Sequence, residues 1–127
     1  MSPENITPEI IAFLTERHLA SLTTLRKDGS PHVVPVGFSF DVASNEVRII
    51  TFAGSQKVKN AERGGRAVVS QVDKGRWLSL EGTVRATTDA TEVAQAVAGY
   101  AARYQAPKER VDRVAIIIAI DKILGRA

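Results

Sequence analysis

Apolar and polar residues alternate in short runs along most of this chain, and turn residues separate the runs at close intervals. Such a pattern predicts strands joined as hairpins. Residues 19–26 read as a first strand, followed by Lys27-Asp28-Gly29-Ser30, which places aspartate and glycine where a hairpin turn needs positive φ. Residues 32–40 return as a second strand, residues 41–45 turn, and residues 46–52 form a third. Residues 66–72 give a fourth strand, Asp73-Lys74-Gly75 a turn, residues 77–86 a fifth, and residues 113–120 the last.

Helical spacing interrupts this pattern three times. Thr7-Pro8-Glu9 supplies a hydroxyl cap, a proline at the first helical position and an acid near the positive helix end. Ile10, Ile11 and Leu14 then share one face, so a first helix should end near Glu16 or Arg17. A short second helix opens after Gly54-Ser55, turns Val58 and Ala61 inward, and stops at Gly64-Gly65. Asp89 with Glu92 forms an aspartate version of the capping box, and Val93, Val97, Tyr100 and Tyr104 follow as a helical stripe. The expected fold is therefore mainly β with flanking helices: one domain over residues 1–127, with six antiparallel strands in a barrel or strongly curled sheet.

The second predicted strand departs from alternation. His32, Val34, Val36, Phe38 and Phe40 occupy one side, and Val33 and Pro35 make part of the other side apolar too. Either the terminal helices or a second copy of the chain must cover the outer side. Pro35 cannot donate to a ladder, so this strand should lie at an edge or be interrupted there.

Composition narrows the function classes. With 44% hydrophobic and 24% charged residues, the chain of 127 residues is of ordinary globular type. No apolar run approaches the roughly 20 residues of a membrane span, so no membrane partner is expected. The absence of cysteine excludes disulfides, thiolate metal sites and a cysteine nucleophile. The net charge of +3 is spread along the chain without a block of like charges, which argues against nucleic acid as a partner. Met1-Ser2-Pro3-Glu4-Asn5 shows no basic segment leading into an apolar one, and a cytoplasmic location is expected.

The richest chemistry lies in Gly54-Ser55-Gln56-Lys57-Val58-Lys59-Asn60, where a strand passes through glycine into a helix. Lys57 in the first helical turn opposes the positive helix terminus, and a bound anion would resolve that conflict. The alternative is a solvated basic helix. Arg76-Trp77 could stack on a flat anionic heterocycle, although a lone tryptophan also serves as core. His18 and His32 have no acid at triad or metal-ligand spacing, so no metal is expected. A chain without dyad, metal ligands or thiol points to cofactor chemistry, with the catalytic side chain left unassigned.

In order, these segments resemble a known family. Ile50-Thr51-Phe52-Ala53-Gly54-Ser55-Gln56-Lys57, Ser30-Pro31-His32-Val33-Val34 and Arg76-Trp77-Leu78-Ser79-Leu80-Glu81-Gly82 are similar to the split-barrel flavoproteins related to pyridoxamine 5'-phosphate oxidase. Within that superfamily they resemble the flavin/deazaflavin oxidoreductases of the B group, and among these the deazaflavin-dependent biliverdin reductases. The resemblance implies a homodimer with coenzyme F-420 at the interface, and FMN as the alternative cofactor. It implies an oxidoreductase passing hydride from the reduced deazaflavin to a conjugated acceptor such as biliverdin. The competing functions are an FMN-dependent oxidase or reductase and a cofactor carrier without turnover. By the same resemblance, His32, Val33, Val34, Pro35 and Val36 run along the ring, with Thr51 among the cofactor contacts. Ser55, Gln56 and Lys57 hold the phosphate, and Asn60 and Arg63 stand near the tail. Arg76, Trp77, Leu78 and Ser79 approach from the partner subunit.

Overall fold

The computed structural model describes residues 2–127. After a 3-10 turn at Pro3–Asn5, the elements are α1 (Pro8–Thr15), β1 (Ala20–Leu25), β2 (Pro31–Val36), β3 (Ser39–Asp41), β4 (Glu46–Phe52), α2 (Gln56–Glu62), β5 (Arg66–Asp73), β6 (Arg76–Thr87), α3 (Ala90–Arg103) and β7 (Arg113–Arg126). The expected caps form: Thr7, Ser55 and Asp89 each accept a hydrogen bond from a backbone amide in the first turn of α1, α2 and α3.

The strands make one antiparallel sheet in the order β2-β1-β5-β6-β7-β4-β3. Its inner side carries the core, with Leu22, Val47, Ile49, Val69, Leu78, Leu80, Ile116, Ile118 and Ile123 buried around Phe13 of α1 and Phe38. Mid-β7 is buried on both faces, since Ala115 and Ile117 are covered as fully as their neighbours.

Two expectations need correction. The sheet has seven strands rather than six, and it is not closed into a barrel: the end strands β2 and β3 do not pair. The predicted second strand splits at Gly37-Phe38 because side chains from α3 take over the backbone there. The Phe38 amide donates to Tyr104 Oη at 3.2 Å, and its carbonyl accepts from Arg103 Nη1 at 2.8 Å. Gly37 leaves room for these rings, since a Cβ would stand a tight 3.0 Å from the Tyr100 ring and 3.1 Å from that of Tyr104. Only two residues join β2 to β3, which brings the two ends of the sheet together. Pro35 lies on an edge strand, where a missing donor costs nothing.

The second correction concerns β7, which runs past the expected end at Ile120 to Arg126. A bulge absorbs the polar residues there. Glu81 pairs with Lys122 and Gly82 with Ile120, leaving Asp121 outside the ladder and bound to Arg66.

Candidate functional site

Where β2 ends and β4 meets α2, the surface sinks into a cleft of about 400 Å3. Pro35 and Val36 of β2, Thr51 and Phe52 of β4, Lys57 of α2 and Tyr100 of α3 all face it. The strand alternation of β4 explains Thr51. Val47, Ile49 and Thr51 share the buried side, and the row that starts in the core ends at the cleft with a hydroxyl. Thr51 is only 5% exposed, and its Oγ1 has no hydrogen-bond partner among the described residues. Such an orphan calls for an explanation, and a ligand group is one.

Lys57 stands beside it with its ammonium 5.6 Å from the centroid of the Phe52 ring and no carboxylate in ion-pair range among the described residues. Burial of the ammonium pulls its pKa below the ordinary lysine value. On β2, half-buried His32 has an unpartnered Nδ1. Burial first, then the cations Arg26 and Lys57, push its pKa down and favour the neutral ring. The cleft therefore offers apolar walls, an unsatisfied hydroxyl and an unpaired cation. These features fit a flat conjugated ring that carries an anionic group.

The other face of α2 is saturated. Asn60 is 2% exposed; its Nδ2 donates to Thr24 Oγ1 at 3.0 Å, and its Oδ1 accepts from Gln56 Nε2 at 2.8 Å and Arg63 Nη2 at 2.7 Å. Arg63 also donates to the Leu25 carbonyl at 2.6 Å. Gln56, Asn60 and Arg63 thus pin α2 to β1, and Ser55 Oγ serves as the helix cap.

The β6 residues lie elsewhere in the chain. Arg76 bridges Glu16 and Asp73 at 2.9 and 2.7 Å and lies 4.4 Å from the Phe13 ring centroid. The Glu16 carboxyl is held at about 2, mainly by Arg76 and then by His18. Trp77 is 41% exposed, Leu78 is fully buried, and Ser79 Oγ donates to Ser70 Oγ. Within one chain, none of these four lines the cleft.

The sequence pattern of the pyridoxamine 5'-phosphate oxidase family matches residues 6–127. The chain belongs to that family. Among its relatives is the F-420H(2)-dependent biliverdin reductase of Mycobacterium tuberculosis, 52% identical over 122 residues, or 96% of this chain and 89% of that protein. A conserved hypothetical protein of Mycobacterium tuberculosis has the same fold, with a TM-score of 0.80 at 21% identity over 95% of this chain and 84% of its own. An F-420 reductase superposes with a TM-score of 0.76 at 23% identity over 94% of this chain and 98% of its own.

In this family member the cleft gathers residues that sequence reasoning did not assign to it. Tyr100 read as part of an apolar helical stripe, yet it faces the cleft. Gln105, Lys108 and Arg113 come from the α3–β7 loop and the start of β7. Their only sequence signal is a charged stretch before the last strand, which has no periodicity to mark its role.

Proposed function

We propose that this protein is a coenzyme F-420-dependent oxidoreductase that reduces a conjugated acceptor such as biliverdin. The observation that carries the reading is the cleft with unpaired Lys57 beside orphaned Thr51, in a chain 52% identical to an F-420H(2)-dependent biliverdin reductase. When bound, the reduced deazaflavin supplies the hydride. The chain does the rest. Pro35 and Val36 form the wall for the ring, with Val34 and His32 further along the same edge strand. Lys57 meets the phosphate, and Thr51 Oγ1 finds in the cofactor the partner it lacks.

The same reading makes the protein a cytoplasmic homodimer. The outer face of β2, β1, β5 and β6 supports this. Val33 is 58% exposed, Val72 70% and Trp77 41%, an apolar patch with no cover in one chain. Between them the register sets the small residues Ser21, Ser70 and Ser79 side by side, which lets a second sheet approach closely. A copy seated there would carry its own Trp77 and Ser79 toward the neighbour's ring, while Arg76 stays on the opposite side of the sheet against Phe13 and Glu16.

The test is turnover: reduced deazaflavin, mixed with the purified protein, should be consumed when biliverdin is added. Cofactor binding without consumption would leave a carrier, and a stable monomer with cofactor bound at micromolar concentration would end the dimer proposal.

A further inference from the structure

Among the described residues, five of the 17 lysines and arginines pair with a carboxylate, and the others, Lys108 and Arg113 among them, do not. Arg48, Arg66, Arg76, Arg85 and Arg110 each pair with a carboxylate. Lys108 and Arg113 have no such partner among the described residues, and they stand together: Arg113 Nη2 donates to the Lys108 carbonyl. Both line the cleft that holds Lys57, and no Asp or Glu lines it with them.

The loop that carries them is fixed in place. The Arg110 guanidinium lies 4.4 Å from the Phe52 ring centroid and binds Asp112 through Nε at 2.9 Å. The Asp112 carbonyl accepts from the Ala53 amide at 2.9 Å, so the loop is tied to the strand end that bears Thr51. A second hollow, of about 540 Å3, opens on the other side of the same residues. It shares Pro107, Lys108 and Arg113 with the cleft, is walled by Val93, Val97 and Val111, and has one acid, Glu109. A mostly polar cleft and a more apolar hollow meet at two cations that make no ion pair with a carboxylate, held on a pinned loop, although Arg113 also feels the nearby Asp112. A cation without a partner at such a junction favours an anion, and guanidinium beside ammonium suits carboxylate groups.

We infer that Lys108 and Arg113 form a carboxylate-binding subsite, where the acidic groups of an extended and otherwise apolar ligand come to rest. The inference rests on the proposed function only for the ligand's identity. Two sources offer that chemistry: the oligoglutamate tail of coenzyme F-420 and the propionate side chains of a bilin substrate.

The experiment has two arms, both read by binding to the full-length protein, wild type against Lys108→Ala/Arg113→Gln. In the first, biliverdin and its dimethyl ester are titrated without cofactor and followed by absorbance. In the second, coenzyme F-420 and its tail-less riboside are titrated and followed by fluorescence. The wild type should prefer the acidic ligand by about tenfold or more in at least one arm, and the variant should lose most of that preference. Loss in the first arm assigns the subsite to substrate, and loss in the second assigns it to the cofactor tail. Equal affinity of the wild type for acidic and neutral ligand in both arms, or a preference the variant keeps, overturns the subsite. A wild type that binds no deazaflavin defeats the proposed function, while the bilin arm still decides the subsite. Lys108→Glu, an exposed charge reversal, repeats the test should the double variant fold poorly.

Discussion

The two faces of helix α2 make opposite use of polar atoms. On one, Asn60 satisfies Thr24, Gln56 and Arg63 at once, and a buried amide becomes the pin between α2 and β1. On the other, Lys57 has no carboxylate, and Thr51 beside it holds a buried hydroxyl with nothing to bond. Folding alone explains the first face. The second is explained by a ligand group, because buried polar groups are otherwise mostly paired. Around α2 a saturated network marks structure and an unsaturated hydroxyl marks the cleft, while the unsatisfied Arg48 Nε lies away from it, on a side chain already paired with Asp41 and Glu46.

That contrast can be broken by substitution. Asn60→Ala should cost about 2–4 kcal/mol of stability in urea unfolding, because it opens a cavity, strands the buried Thr24 hydroxyl and breaks the bond of Arg63 to α2. A cost below about 1 kcal/mol would show that the network is replaceable. Lys57→Ala should do the reverse, weakening cofactor binding by ~1.5–3 kcal/mol in a fluorescence titration while stability stays within about 0.5 kcal/mol. Because burial lowers the Lys57 pKa, affinity in the wild type should fall off on the alkaline side earlier than an ordinary lysine would cause. Thr51→Val keeps the shape and removes the hydroxyl. Its stability should change by less than about 1 kcal/mol, since no protein partner is lost, while cofactor affinity drops.

The exposed pair of Glu16 and Arg76 should show the smallest effect. The folded pKa of Glu16, about 2, lies below its ordinary value of 4.5, so its contribution is present above that value and disappears as pH falls toward 2. Glu16→Gln should flatten the stability–pH curve within that window and leave its slope unchanged above it. Parallel curves throughout would mean the pair contributes nothing measurable.

Much of this contrast was legible before the structure. The strand over residues 46–52 is legible with its observed bounds because Asn45, at φ 56°, and the glycine turn after Phe52 punctuate it sharply. Lys57 stood out as a cation in the wrong helical turn. The break at Gly37 was not legible, because apolar residues continue across it and the side chains that replace the ladder come from α3, some 65 residues away. The bulge at Asp121 was hidden for a related reason, since a polar pair looks like a strand end unless a partner strand accommodates it. Gln56, Asn60 and Arg63 shared their segment with Lys57, and only three dimensions separate the pin from the cleft. Lys108 and Arg113 carry only the signal of a charged stretch; topology alone brings them to the cleft that Lys57 lines.

The central claim is that the cleft takes a deazaflavin, and in the proposed reading Lys57 alone meets the phosphate while Lys108 and Arg113 of the same cleft meet carboxylates. Gln56, just before Lys57, gives its amide to Asn60 and adds no charge. One ammonium at the phosphate, with Lys108 and Arg113 left for acidic groups, suits the monoanionic phosphodiester and carboxylate tail of coenzyme F-420 better than the dianionic phosphate of FMN. The decisive measurement is a side-by-side fluorescence titration of both cofactors in one buffer. Coenzyme F-420 should bind at least about tenfold more tightly, a gap of ~1.4 kcal/mol. Equal or tighter binding of FMN would contradict the account.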